Sequence, residues 1–229
     1  MVAVETRKAK DNLFDRFAHV AASLASGRRL EIIDVLAQAP RTVENLAAVI
    51  GQSVANTSHH LRRLANDGLV ESQRDGRHIS YRLASDQVYE LWRAVQDVTA
   101  TQDDGLDRLE SYVGDRAEID LIDQDTLWQR LQRGDDLVVI DVRPAEEYEA
   151  GHIKGAISVP PANLAELLPE LPQGVDIVAY CRGHYCAYAD EAVRLLVASG
   201  RTAFRLAESY REWAAQRGSK SEPLTLVQP

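Results

Sequence analysis

The period of the apolar residues changes once along this chain, near residue 115, and the two sides of that change require different architectures. Upstream, apolar residues recur at helical spacing: Leu13, Phe14, Phe17, Val20, Ala21 and Leu24, then Leu30, Ile33, Val35 and Leu36. Downstream, short apolar runs alternate with helix-like runs, the grammar of a parallel α/β sheet. The spacing predicts two domains, a mainly-α one followed by an α/β one. The boundaries fall at residues 1–111, a linker over 112–118, a second domain over 119–217 and a loose tail over 218–229.

In the first half the pattern predicts helices over residues 12–24, 28–37, 43–50 and 54–66, after a frayed start over 1–11. Thr42 and Ser53 stand where N-caps belong. Leu46, Ala47 and Ile50 face inward on the third helix, and Val54, Thr57, Leu61 and Leu64 form the buried stripe of the fourth. Two short alternating strands, 69–73 and 78–83, flank Asp75-Gly76, which is hairpin-tip chemistry. Ser85 then caps a long helix reaching about residue 109, with Val88, Leu91, Trp92, Val95, Val98 and Leu106 apolar. Helix, turn, helix and a two-stranded wing make a winged helix-turn-helix.

The run from Gly51 to Val70 and the wing from Arg74 to Tyr81 resemble the ArsR-type repressors. The resemblance implies a homodimer, paired through its first and last helices, on a palindromic operator in double-stranded DNA. The residues support DNA contact independently. Gln52, Ser53, Asn56, Ser58, His59 and Arg62 are short polar or cationic groups suited to base edges and phosphates. Arg74 and Arg77 at the wing suit a backbone or minor-groove contact. His60, beside the buried Leu61, reads equally as a packing residue or a base reader. Metal-sensing members of that family carry cysteines near the helix-turn-helix or histidine-rich last helices. This half has no cysteine, and residues 85–110 hold carboxylates without a histidine, so no metal site is assigned.

The second half predicts strands over 119–122, 137–141, 156–159, 175–180 and 202–206, with helices over 125–132, 145–150, 162–168, 188–199 and 210–216. Ile140-Asp141-Val142-Arg143-Pro144, Glu147-Tyr148 and Gly151-His152-Ile153-Lys154-Gly155-Ala156 resemble the rhodanese homology domain. That resemblance places the active-site loop at Cys181-Arg182-Gly183-His184-Tyr185-Cys186-Ala187 and makes Cys181 the nucleophile. Such a loop wraps backbone N–H groups around one sulfur, lowers the thiol pKa and lets the thiolate hold sulfane sulfur as a persulfide. Gly183 lets the loop curl, and Arg182 adds positive charge. Asp141 and Arg143 brace the loop.

Many rhodaneses place an arginine where this chain has Cys186, which puts thiosulfate turnover in doubt. Cys186 is positioned instead to resolve a Cys181 persulfide. A phosphatase or arsenate-reductase loop would end one residue later in arginine, and residue 187 is alanine. The leading expectation is a repressor that couples sulfane sulfur at Cys181 to operator binding. Its partners are a sulfur donor and a thiol acceptor. Two alternatives stay open: a sulfurtransferase that uses the winged helix only to dock or dimerise, and a sensor of arsenite or another soft metal. No cofactor is expected. Two cysteines and no apolar run of membrane-spanning length point to a reducing cytoplasm, and a net charge of −9 argues against indiscriminate nucleic-acid binding while leaving room for a local basic patch.

Overall fold

The computed structural model describes residues 2–76, 78–101 and 118–217. The chain divides into two compact units, Met1–Gln102 and Asp103–Pro229. Residues 112–117 of the expected linker, the expected tail and the last helix beyond residue 101 lie outside the described residues.

In the first unit α1 spans Val2–Leu24, α2 Gly27–Gln38, α3 Val43–Val49, α4 Val54–Asn66 and α5 Asp86–Ala100. The frayed start expected over 1–11 is instead the beginning of α1. Its charged residues are good helix formers, and Arg7 pairs with Asp11 one turn on at 2.9 Å. Thr42 and Ser53 cap as expected, accepting from the N–H groups of Asn45 and Asn56. Ser85 stands at the N-cap of α5 without a side-chain capping bond.

Strand β1 (Arg41–Thr42) joins β3 (His78–Leu83), which pairs antiparallel with β2 (Val70–Asp75). The wing register sets Asp75 against His78, so Asp75 belongs to the strand and the turn begins at Gly76. Gly76 has φ 59°, a left-handed conformation that glycine adopts without strain. The short β1 had no sequence signal, because two residues are too few for alternation.

The core of this unit joins Ile32, Ile33 and Leu36 of α2 to Leu46 of α3, Leu61 and Leu64 of α4, and Leu83 and Val88. One expectation about burial fails, and two helices leave apolar residues exposed. Val54, in the first turn of α4, is exposed rather than part of the stripe. On α1, Phe14 and Phe17 are 58% and 57% exposed and Leu13 is exposed, while only Val20 and Leu24 reach the core. Leu91 and Val98 of α5 are exposed as well. These helices are amphipathic, but their apolar faces extend beyond the core that one chain encloses.

The second unit contains a five-stranded sheet in the order β4-β8-β7-β5-β6, parallel at every pairing. The strands are β4 (Leu121–Ile122), β5 (Leu137–Asp141), β6 (Ile157–Ser158), β7 (Asp176–Tyr180) and β8 (Ala203–Leu206). The helices are α6 (Gln124–Arg133), α7 (Ala145–Ala150), α8 (Leu164–Leu167, flanked by 3-10 turns), α9 (Ala187–Ala198) and α10 (Tyr210–Arg217).

Both sheet faces are covered, which is why the central strands read as continuous apolar runs. Ile177, Ala179 and Cys181 pack with Ala189, Ala192, Val193 and Leu196 of α9 on one face. Val178 and Tyr180 pack with Leu127, Tyr210 and Trp213 on the other. The register aligns Asp141 with Tyr180 and Ala179 with Arg205, so the carboxyl ends of β5, β7 and β8 lie side by side. Open parallel sheets put their ligand sites at that edge.

Candidate functional site

Helix α4 offers the first site. Its inward stripe of Thr57, Leu61 and Leu64 is buried, which turns the polar positions to solvent. Asn56, His59 and Arg62 are exposed, while Gln52 and Ser58 are half-buried. Asn56 Nδ2 donates to Gln52 Oε1 at 2.7 Å, so these two amides form one unit. Arg62 Nε donates to the Ser58 carbonyl at 3.3 Å. Ser53 uses its hydroxyl as the helix cap. On the wing, exposed Arg74 donates to the Gly76 carbonyl at 3.1 Å; Arg77 lies outside the described residues.

His60 is half-buried. Its Nδ1 has no hydrogen-bond partner among the described residues. Burial lowers its pKa first, and the charges of Arg29, His59 and Arg28 lower it further. These effects hold it toward its neutral form.

The second site lies at the end of β7. Cys181 follows the last strand residue and is 2% exposed. A disulfide joins it to half-buried Cys186, with the Cα atoms 6.2 Å apart. Cys186 is the N-cap of α9, and its N–H donates to the Gly183 carbonyl at 3.1 Å, closing a tight turn. Gly183 is buried with φ 135°, and a Cβ there would stand 3.4 Å from that of Ser209. His184 and Tyr185 are exposed, their rings edge to face at 5.0 Å, and half-buried Ala187 begins α9. The positive end of α9 favours an anionic sulfur at this loop.

Three ion pairs surround the loop. Asp141 and Arg143, both with side chains 0% exposed, meet through Nη2–Oδ2 at 2.6 Å and Nε–Oδ1 at 2.9 Å. Arg143 also donates to the Gly151 carbonyl at 2.7 Å and lies over the Tyr210 ring at 4.4 Å. Burial opposes the Arg143 charge, but the Asp141 hydrogen bonds and charge outweigh it and hold its pKa above the ordinary value. Tyr180 donates to Asp141 at 2.5 Å and accepts from the Ile153 N–H at 3.1 Å. Burial, then the Asp141 charge, push the Tyr180 hydroxyl well above its ordinary pKa, so it stays a donor.

Arg182 is turned onto Glu147 of α7, with Nε 3.1 Å from Oε2, and Glu147 is fully buried. The third pair joins Arg205 of β8 to buried Asp190 of α9 at 2.8 Å. Arg205 Nη2 also donates to the carbonyls of Gly183 and His184, each at 2.9 Å. In a trans peptide the carbonyl and the next N–H point opposite ways. Holding those carbonyls therefore turns the N–H groups of His184 and Tyr185 to the other side of the loop.

Glu147, Asp190 and Arg205 were not assigned roles from the sequence. A signal existed for Arg205, a charge inside an otherwise apolar strand run, which must have a partner once buried. Asp190 sits likewise among the inward alanines of α9.

These geometries agree with the wider similarity of the chain. The bacterial regulatory protein, arsR family, matches residues 26–72, and the rhodanese-like domain matches residues 123–216. The HTH-type transcriptional regulator Rv0324 of Mycobacterium tuberculosis is 42% identical over 215 residues, 93% of this chain and 92% of that protein. The chain belongs to the ArsR family of transcriptional regulators. It is a member that carries a C-terminal rhodanese-like domain. A protein named sulfurtransferase from Allochromatium vinosum is 33% identical over 72 residues, 29% of this chain and 67% of that one. A solution structure of a homodimeric winged helix-turn-helix DNA-binding domain from Mycobacterium bovis is 41% identical; the match covers 41% of this chain and 86% of that one, with TM-score 0.39. No helix among the described residues is long and apolar enough to cross a membrane, and no group of three metal-ligating side chains occurs among them.

Proposed function

We propose that this ArsR-family regulator is a cytoplasmic, homodimeric repressor whose rhodanese-like domain receives sulfane sulfur at Cys181, and that the thiol state of the loop sets operator affinity. The bond between Cys181 and Cys186 carries the reading, because it places a second sulfur within reach of the first. The Cys181 thiolate attacks the outer sulfur of a persulfide donor, whose S–S bond breaks to release a thiolate. The Cys186 thiolate then attacks the inner sulfur of the Cys181 persulfide and expels hydrosulfide. The sulfane sulfur is reduced, the two thiols are oxidised, and a disulfide remains. A thiol acceptor in excess reopens it.

The exposed face of α4 supports reading of the major groove by Asn56, His59 and Arg62, with Gln52 and Ser58 behind them. Ser53 acts there as a helix cap, and its part in DNA contact is through the backbone it fixes. Exposed Leu13, Phe14 and Phe17 on α1 and Leu91 and Val98 on α5 support a dimer through those helices, since a second copy would cover them.

A gel shift on the operator, with and without a persulfide donor, tests the coupling. Wild type is expected to change affinity on donor addition and Cys181→Ser to stay at one value. Equal affinity in all four samples would sink the coupling. Catalytic turnover with a cyanide or thiol acceptor, lost in Cys181→Ser and without effect on DNA, would leave a sulfurtransferase instead.

A further inference from the structure

The ion pairs around the loop bear on which sulfur donor it accepts. Arg182 belongs to the loop itself, Arg205 holds two of its carbonyls, and Arg143 packs on Tyr210, whose N–H donates to the Cys181 carbonyl. Each of these guanidiniums meets a carboxylate whose side chain is 0% exposed: Glu147, Asp190 and Asp141 in turn. Within these three pairs the positive and negative charges balance. The N-terminus of α9 adds roughly half a positive charge at the loop. That suffices for one thiolate.

We infer that this loop selects sulfane-sulfur donors of low charge, organic hydropersulfides, over oxyanion donors such as thiosulfate, and that Glu147 sets this choice by neutralising Arg182. The inference rests on the proposal that Cys181 accepts sulfur. With a hydropersulfide the thiolate attacks the terminal S–H sulfur, the donor S–S bond breaks, and RS⁻ leaves. One negative charge enters the transition state and one departs. With thiosulfate the same thiolate attacks the outer sulfur of a dianion, and sulfite leaves as a dianion from a newly formed persulfide anion. Three negative charges meet at one buried sulfur, and like charges at contact distance in a partly buried site repel strongly. A site built for that reaction needs a guanidinium whose charge is not already matched. Exposed Tyr185 and Tyr188 beside the loop offer aromatic surface to an organic donor.

The test uses the full-length Cys186→Ser protein, in which sulfur stays on Cys181, and intact-mass spectrometry to time the gain of one sulfur. The probes are the hydropersulfide of N-acetylcysteamine, whose organic part is uncharged, and thiosulfate at equal concentration. Loading by the hydropersulfide is expected to be faster by at least about tenfold. Adding Glu147→Gln releases Arg182 and is expected to shift the rate ratio toward thiosulfate by a similar factor. The charge-balanced double substitution Arg182→Gln with Glu147→Gln is expected to keep the parent ratio, which a purely structural role for the pair does not predict. Equal loading by both donors in the parent overturns the inference and leaves the proposed function standing. If Glu147→Gln does not fold, the parent ratio and the double substitution still decide. If neither donor loads Cys181, the proposed function itself falls.

Discussion

The two units of this regulator treat charge in opposite ways. On α4 the polar groups Asn56, His59 and Arg62 face solvent, and the side-chain bonds of Asn56 and Arg62 reach only four residues back along the chain. Around the Cys181 loop, Asp141, Arg143, Glu147, Asp190 and Arg205 are almost wholly buried and bond across elements, β5 to β7, loop to α7 and β8 to α9. An exposed charge adds little to stability and is available to a partner. A buried pair adds little over an apolar pair of the same volume, yet losing one member is severe. These α4 charges are therefore left on the surface, and those around Cys181 are committed to the shape of one loop.

The sharpest way to break this contrast is to remove one member of the most buried pair. Asp141→Asn leaves the Arg143 guanidinium uncompensated and weakens the bond from Tyr180. Unfolding of the second unit is expected to lose about 3–5 kcal/mol, read as a shift of its denaturant midpoint in the full chain. A loss below about 1 kcal/mol would mean that solvent reaches Arg143 and that the buried description is wrong.

Arg205→Met is expected to act less on stability and more on the loop. The stability loss is about 1–3 kcal/mol, as for hydrogen bonds removed from buried groups. The carbonyls of Gly183 and His184 lose their anchor, so the N–H groups beyond them lose their fixed direction. Sulfur loading of Cys181 is expected to slow more than the stability loss explains. Unchanged loading in a folded Arg205→Met protein removes Arg205 from the positioning of the loop.

These two residues also mark how far the sequence alone could be read. Asp141 and Cys181 stand in local patterns, at the ends of apolar strand runs, where period and strand ends announce a site. Arg205 stood out as a charge inside an apolar run, but its pairing with Asp190 was silent because it depends on how α9 packs on β8, which is not written in the spacing of apolar residues. The same limit explains α1. Its helical period was legible, but whether Phe14 and Phe17 are buried depends on what covers them, and within this chain nothing in the first unit's core does. The Ser53 cap was legible from its place before the apolar stripe, and its bond from the Asn56 N–H is local enough to read from sequence.

On the exposed side of the comparison, Arg62→Ala is expected to leave unfolding within about 0.5 kcal/mol of wild type and to weaken operator binding by about 1–3 kcal/mol if it reads a base. A salt titration separates the two kinds of contact. A phosphate contact lowers the slope of log affinity against log salt by about 1 and weakens all sequences alike, whereas a base contact relaxes specificity at one position. A stability loss as large as that of Asp141→Asn would erase the difference between the units.

The smallest expected effect lies between these extremes, at His60. It is neither exposed like His59 nor paired like Arg205, and its Nδ1 has no partner among the described residues. Burial, then the charges of Arg29, His59 and Arg28, hold its pKa below the ordinary 6.5. The unfolded chain therefore binds a proton at His60 more readily than the folded one. Its contribution favours folding above pH 6.5 and is lost as pH falls through that value toward the lower folded pKa. His60→Gln removes the titrating ring, so the first unit of the variant is expected to lose less stability between neutral pH and pH 5 than wild type does. If His60→Gln loses as much stability over that range as wild type, burial of His60 does not contribute to the pH dependence of the first unit.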